Sequence, residues 1–410
     1  AVIDAIAEAY GHWNANVHRG VHHLSQVATQ KHEEAREKVA QLIHAQSSEE
    51  IIFTKGTTDS LNMLARSFGD ALISEGDEII VSQLEHHSNI VPWQMLCERK
   101  KAALKVIPLR EDLSLDIEAF KALLSDKTRL VSVAQVSNVL GIVNPVEEII
   151  RLAHEKGVPV CVDGAQSVPH LVMDVQQLDC DFLVFSAHKM YGPTGLGVLY
   201  GKKEWLDRLP PAEGGGEMIE HVSFEKTTYN VLPYKFEAGT PNYVGSHAFG
   251  KAIDYLQAIG LELIATHEHA LAEYMEQQLS QISQVHIYAA GQKKAGAVSF
   301  NIFNIAANCI CSLGTTLLTV VGQCIGADEK EQARYYTKKL TLVGSIMVLV
   351  FYGTIFLLKN KLVLLFGFSE EALRESAYYT GVGALVSIFS IYSHAFIPMS
   401  ALRAAGDIKY

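Results

Sequence analysis

The sequence predicts an α/β fold: a mostly parallel sheet of seven strands, helices on both faces, and an apolar helical tail. Three observations predict it. Short runs rich in Val, Ile and Leu alternate with amphipathic segments of helical period between residues 50 and 201, as expected of strands buried on both faces and joined by helices. The glycines, hydroxyls and charged residues that interrupt these runs fall just after them, at the carboxyl ends of the strands, where open α/β sheets carry their sites. From about residue 302 the chain changes character and runs for long stretches without charge.

The chain opens in a helix-like pattern, Val2-Ile3-Asp4-Ala5-Ile6-Ala7, which reads as neither a signal peptide nor a transit segment. Strands are expected at 50–56, 77–83, 103–109, 128–137, 158–163, 181–186 and 196–201, with helices at 24–45, 58–73, 116–124 and 145–156. Ile51-Ile52-Phe53-Thr54 leads through Lys55 and Gly56 to Thr57 and Thr58, which open a helix over Leu61–Leu72. Backbone amides and hydroxyls at a helix start suit a phosphate dianion; Thr58 as an ordinary N-cap is the plainer reading. After the strand Glu78–Ser82 comes Gln83-Leu84-Glu85-His86-His87-Ser88-Asn89, where an imidazole could stack on a planar ring. The His86-His87 pair lacks a third ligand at metal spacing, so no metal is expected. Asn138, after the strand 130–136, falls at the same sheet edge.

Val158-Pro159-Val160-Cys161-Val162 ends in Asp163, followed by Gly164-Ala165-Gln166, and Phe182-Leu183-Val184-Phe185 ends in Ser186, His188 and Lys189 before a Gly/Pro turn. Desolvation at such a strand end would keep a lysine amine unprotonated and nucleophilic. A lysine for the Schiff base and an aspartate for the pyridinium nitrogen are what pyridoxal phosphate chemistry requires. Taken singly, Lys189 reads as a solvated strand end and Asp163 as a turn residue. Pro210, Pro211 and Gly214-Gly215-Gly216 mark a loop that serves as lid or linker, and 246–282 reads as two helices.

Together, His18-Arg19-Gly20, Gly56-Thr57-Thr58, Glu85-His86-His87-Ser88-Asn89, Asn138, Asp163-Gly164-Ala165-Gln166, Ser186-Ala187-His188-Lys189 and Phe236-Glu237-Ala238-Gly239-Thr240-Pro241-Asn242 resemble the cysteine desulfurases of the class V aminotransferase family. The likeness is nearest the sulfur-mobilisation type, related to selenocysteine lyases, and runs from residue 1 to about 305. It implies the large domain of fold type I of the pyridoxal-phosphate transferases over 1–245, with its first strand missing, and the start of a small domain over 246–305. By the same resemblance Lys189 holds the cofactor and shuttles a proton, Asp163 pairs the ring nitrogen, Gln166 the ring hydroxyl, and His86 stacks on the ring. Thr57, Thr58, Ser186 and His188 hold the phosphate with Thr240 of a second subunit, so a homodimer is implied. His18 and Asn138 line a pocket for L-cysteine or L-selenocysteine. The implied reaction yields L-alanine and passes sulfur to an acceptor protein for iron–sulfur cluster assembly.

That sulfur step needs a cysteine, which the family carries in an Arg-x-Gly-x-x-Cys loop after the strand corresponding to Gly296–Phe303. No such loop, and no arginine for the substrate carboxylate, follows here. Cys324 sits in apolar company without nearby cations; Cys97, Cys161 and Cys180 read as buried small hydrophobes; Cys309 and Cys311 belong to the tail. An impaired desulfurase is therefore expected, with another class V transaminase or lyase as the alternative.

Residues 302–327 and 340–358 carry no charged side chain, and 376–402 none besides His394, lengths near the roughly 20 residues a bilayer span needs. Val321-Gly322-Gln323-Cys324-Ile325-Gly326-Ala327 with Ala333-Arg334, and Leu402-Arg403-Ala404-Ala405-Gly406-Asp407, resemble loops of multidrug and toxin extrusion transporters, so 306–410 reads as a transporter-like membrane fragment. A transporter fragment with a non-functional enzyme front is a further alternative. Of the 34 Lys+Arg and 45 Asp+Glu, 9 and 7 fall in 301–410, which leaves 25 and 38 for 1–300. So acidic a front argues against nucleic acid, and six irregularly spaced cysteines suit a cytoplasmic location for 1–305. A span at 302–327 would carry Lys330, Arg334, Lys338 and Lys339 outward, against the positive-inside tendency. A recombined chain with a joint near Ile305 is the expectation that follows.

Overall fold

Seven short strands form one sheet: β1 (Ile51–Thr54), β2 (Glu78–Ser82), β3 (Ala103–Ile107), β4 (Thr128–Ala134), β5 (Val160–Asp163), β6 (Phe182–Ser186) and β7 (Gly197–Gly201). They lie in the order β1-β7-β6-β5-β4-β2-β3. Strands β3, β2, β4, β5 and β6 pair in parallel, and β7 runs antiparallel to both β6 and β1. The structure is a computed structural model and describes residues 1–18, 20–282, 285–301, 320, 323, 324, 327 and 329–364. The chain divides into two units, Ala1–Phe300 and Asn301–Tyr410.

Successive strand residues point to opposite faces, and both faces are covered, so every residue of β5, β6 and β7 is buried. Val160, Val162, Leu183 and Phe185 pack with Ile149 and Ile150 of the helix Val146–His154 and with Phe249 and Ile253 of the helix Tyr243–Ile259. Cys161, Phe182 and Val184 face the other way, against Leu61, Leu64 and Phe68 of the helix Thr57–Leu72 and Trp93 and Leu96 of the helix Val91–Lys100. Each such side chain contributes on the order of 2 kcal/mol.

Two close backbone approaches set the site's geometry. Gly56, with φ 149°, precedes the helix Thr57–Leu72 and stands where a side chain would be strained. Gly197 passes so near it that an added Cβ would lie 2.4 Å from the Gly56 Cα. The expected strands at 103–109 and 128–137 end at Ile107 and Ala134, and beyond β4 only an isolated bridge, Val136 to Val143, continues the pairing. The helix Val91–Lys100 and a hairpin of Ile219–Val222 with Thr227–Tyr229 were not expected. The anticipated helix pair is present as Tyr243–Ile259 and Leu261–Ser280, and among the described residues of the strand expected from Gly296, Phe300–Asn301 is extended.

In the second unit, Lys330–Leu364 is one helix of 35 residues that exposes Leu342, Ile346, Leu349, Val350 and Leu357. Among the described residues no helix is long and apolar enough to cross a membrane, so the expected transmembrane tail has no support there. The expected span 376–402, most of 302–327, the Leu402–Asp407 motif, Cys309, Cys311 and Arg19 lie outside the described residues.

Candidate active site

The carboxyl ends of β1, β2, β4, β5 and β6 meet along one edge, and the residues singled out in the sequence follow them. Asp163 is the last residue of β5 and 4% exposed. It accepts a hydrogen bond from the Ala165 N–H at 2.9 Å. Burial pushes its carboxyl pKa up, while that bond, the Lys189 charge and the His86 charge pull it back. Lys189 and His86 are thus within electrostatic reach of Asp163. Gln166, half-buried, follows in the turn after β5.

Lys189 lies in the short 3-10 turn Ala187–Met190 that follows β6, beside His188, and both are exposed. This corrects the expectation of an amine desolvated by the protein: the strand that delivers Lys189 is buried, but the turn lifts its side chain into solvent. His86 starts the turn His87–Asn89. Its Nδ1 accepts from the Ser88 N–H at 3.1 Å, with the Ser88 hydroxyl at 2.8 Å, so a neutral ring carries its proton on Nε2. Its ring is exposed and free to cover a flat ligand. Asn138, also exposed, lies beyond β4.

The phosphate-type features also meet. The Thr57 N–H donates to Ser186 Oγ at 2.8 Å and the two hydroxyls are 2.6 Å apart, which ties the helix start to the end of β6. Thr58, exposed, is the second helical residue and not the N-cap; Gly56 holds that place, and no side chain caps the helix. Thr240 is exposed in the loop before the helix Tyr243–Ile259, where the Gly239 N–H donates to Gly216 O at 2.8 Å.

His18 has φ 60°. Its Nε2 is 3.0 Å from Glu33 and its Nδ1 3.1 Å from Glu217, and its ring packs edge-on to Tyr234. Behind it lies a buried ionic cluster that sequence reading missed. The Arg36 guanidinium donates to both oxygens of Glu237 at 2.6 and 2.9 Å, to Glu33 and to Ile51 O. Glu237 also accepts from the Phe53 N–H, and His32 Nε2 is 3.0 Å from Arg36. Glu237 falls within Phe236-Glu237-Ala238-Gly239-Thr240-Pro241-Asn242, which carries no mark of its distant partner. Glu85 was likewise passed over. Its buried carboxylate accepts from Asn89 Nδ2, Ser82 Oγ and the Ala134 N–H. Among the described residues no cluster of His, Cys, Asp or Glu could hold a metal.

Comparison with known proteins points one way for most of the chain. Residues 1–317 match the family model described as aminotransferase class-V, and residues 271–410 match the MatE model. A probable cysteine desulfurase of Halalkalibacterium halodurans is 50% identical over 305 residues, 74% of this chain and 75% of that protein. The apo structure of a cysteine desulfurase from Thermococcus onnurineus superposes with a TM-score of 0.71 at 40% identity, covering 76% of this chain and 78% of that one. A C-DES variant with glycine covalently linked to its PLP cofactor superposes at 0.67 with 25% identity, over 74% and 80%. The residues present fit that cofactor: a buried carboxylate for a cationic ring nitrogen, and an uncapped helix start backed by hydroxyls for a phosphate.

Proposed function

The chain belongs to the class V aminotransferase family and depends on pyridoxal phosphate, and from that premise we propose that residues 1–300 bind the cofactor at Lys189 and act on L-cysteine or L-selenocysteine. The supporting observation is that Lys189 and Asp163 follow neighbouring strands β6 and β5, close enough for the lysine charge to act on the carboxylate. When bound, the cofactor supplies an electron sink for a carbanion at the substrate Cα. Asp163 would pair with the ring nitrogen, Gln166 with the ring hydroxyl, and the exposed His86 ring would pack against the ring. Thr57, Thr58, Ser186 and His188, with the amides of the helix start, orient the phosphate. Thr240 completes this cradle from a second copy of the chain, and His18 and Asn138 border the substrate. Lys189, which would hold the cofactor, would also take the Cα proton and return it. A sulfur-acceptor protein serving iron–sulfur cluster assembly is the proposed recipient, and the cytoplasm the proposed location of residues 1–305.

Transfer of sulfur to the enzyme needs a thiolate within reach, and we propose that none of the four described cysteines supplies it. Burial pushes the Cys97 thiol up to about 11 and also raises the Cys161 and Cys180 thiols. Cys324 is half-buried in the second unit. The chain would then release alanine from selenocysteine more readily than from cysteine. Reconstitution with pyridoxal phosphate followed by borohydride reduction tests the site: mass spectrometry should find the cofactor fixed to Lys189 in the wild type and no such adduct in Lys189→Ala, and an adduct on a different lysine of the wild type removes the assignment. Keto-acid exchange in place of alanine release would favour a transaminase. The MatE match favours a second reading for 306–410, a transporter-derived membrane segment in a recombined chain.

A further inference from the structure

The loop between β2 and the helix Val91–Lys100 carries His86, and one buried acid organises it. Glu85 is 9% exposed, and each of its three hydrogen-bond donors comes from a different place. Ser82 is the last residue of β2, Asn89 closes the turn after His86, and Ala134 is the last residue of β4. Asn89 is itself fixed, accepting from Trp93 Nε1 at 2.9 Å and from Ser132 Oγ. Ala134 is the register partner of Asp163 between β4 and β5. Glu85 therefore stands one strand away from Asp163, and the two carboxylates repel each other's charge.

We propose that Glu85 is a positioning residue of this site: its carboxylate locks the turn that presents His86 and adds a second negative charge behind Asp163, which helps hold a proton on the ring bound there. The proposal rests on the reading of Lys189 and Asp163 as the cofactor site. The charges around Glu85 are few. Asp163 faces it from β5, with Cys161 of the same strand behind, and Asp163 in turn feels the Lys189 and His86 charges. Burial raises the Glu85 pKa to about 7 against the three donors, so without a nearby cation it is only partly ionised at neutral pH. A cationic ring over Asp163 favours the ionised form of both acids, and ionised acids in turn favour the protonated ring.

The test compares full-length wild type with Glu85→Gln and Ser82→Ala, each reconstituted with pyridoxal phosphate, and follows the visible absorbance across the neutral pH range. In Glu85→Gln the midpoint of that titration should fall by about one pH unit, and pyridoxal phosphate should bind about tenfold more weakly. Ser82→Ala keeps the acid but removes a donor to its charged form, so its midpoint should shift the same way by less. A folded Glu85→Gln with the wild-type midpoint overturns the proposal, even if its melting temperature is lower, since that leaves Glu85 a merely structural group. If Glu85→Gln does not fold, an unmoved midpoint in Ser82→Ala overturns it. Failure of the wild type to take up pyridoxal phosphate overturns the site reading itself and this proposal with it.

Discussion

Arg36 is fully buried yet charged, and it remains so because every side of its guanidinium meets an oxygen or a ring: Glu237, Glu33, Ile51 O and the Phe53 face at 4.8 Å. Removing one partner of such a pair strands the other, so Arg36→Met should cost about 3–5 kcal/mol in urea unfolding. Arg36→Lys should recover little of it, since an ammonium cannot match the two Glu237 oxygens, and the double change Arg36→Met with Glu237→Leu should recover most. The pH dependence has a definite sign. Burial acts to raise the Glu237 and Glu33 pKa values, but Arg36 and the neighbouring histidines overcome it and hold both near 2, below the ordinary 4.5. Their stabilisation is complete above 4.5 and drains away as pH falls toward 2. Burial lowers the His32 pKa below 6.5, which adds a loss that begins as pH falls past that value. Unfolding followed by circular dichroism should therefore show stability falling on the acid side; a flat response from pH 6.5 to 2 would contradict the cluster. Sequence could not reveal it, because a buried Arg–Glu pair separated by 201 residues leaves no local signature.

At the scale of elements, legibility followed burial. Strands β5, β6 and β7 are buried at every position, so they appear in the chain as unbroken apolar runs ended by polar turns. The hairpin Ile219–Val222 with Thr227–Tyr229 lies mostly exposed, and nothing in its composition separates it from a loop. The site inherits the same contrast. Asp163 and Ser186 end legible strands, whereas the Thr57 to Ser186 bond and the exposure of Lys189 depend on how β1, β7 and β6 are juxtaposed. That juxtaposition is tight at Gly197. In Gly197→Ala the new methyl meets Gly56 backbone at 2.4 to 2.7 Å, where no flexible side chain can yield. The expected cost is about 1–3 kcal/mol of overpacking, with weaker retention of pyridoxal phosphate because the helix start is displaced. Equilibrium dialysis and thermal melting of the variant check both, and an unaltered cofactor affinity would show that the Gly56 turn does not shape the phosphate site.

Across the whole molecule, two polymers of different character are joined. Residues 1–300 hold 25 basic and 38 acidic side chains, and residues 301–410 hold 9 and 7 with three long uncharged stretches. An acidic α/β unit has a closed core on both faces of its sheet and no need of lipid, but the exposed Leu342, Ile346, Leu349, Val350 and Leu357 on the helix Lys330–Leu364 have no such cover among the described residues. Exposed apolar area on this scale marks a membrane or protein contact, or an aggregation hazard. The described helix does not qualify as a span, so the case for lipid rests on residues 302–327 and 376–402, each longer than the roughly 20 residues a bilayer requires. Expressed in bacteria, the full chain should sediment with membranes and resist carbonate, while a chain ending at Phe300 should not. Carbonate release of the full chain would reject insertion and leave the apolar helix as a cause of aggregation. Retention would bring the opposite difficulty: with the enzyme unit in the cytoplasm, a first crossing at 302–327 carries Lys330, Arg334, Lys338 and Lys339 outward. Protease protection of the 330–340 segment in sealed vesicles then decides whether that orientation is adopted or the first stretch fails to cross.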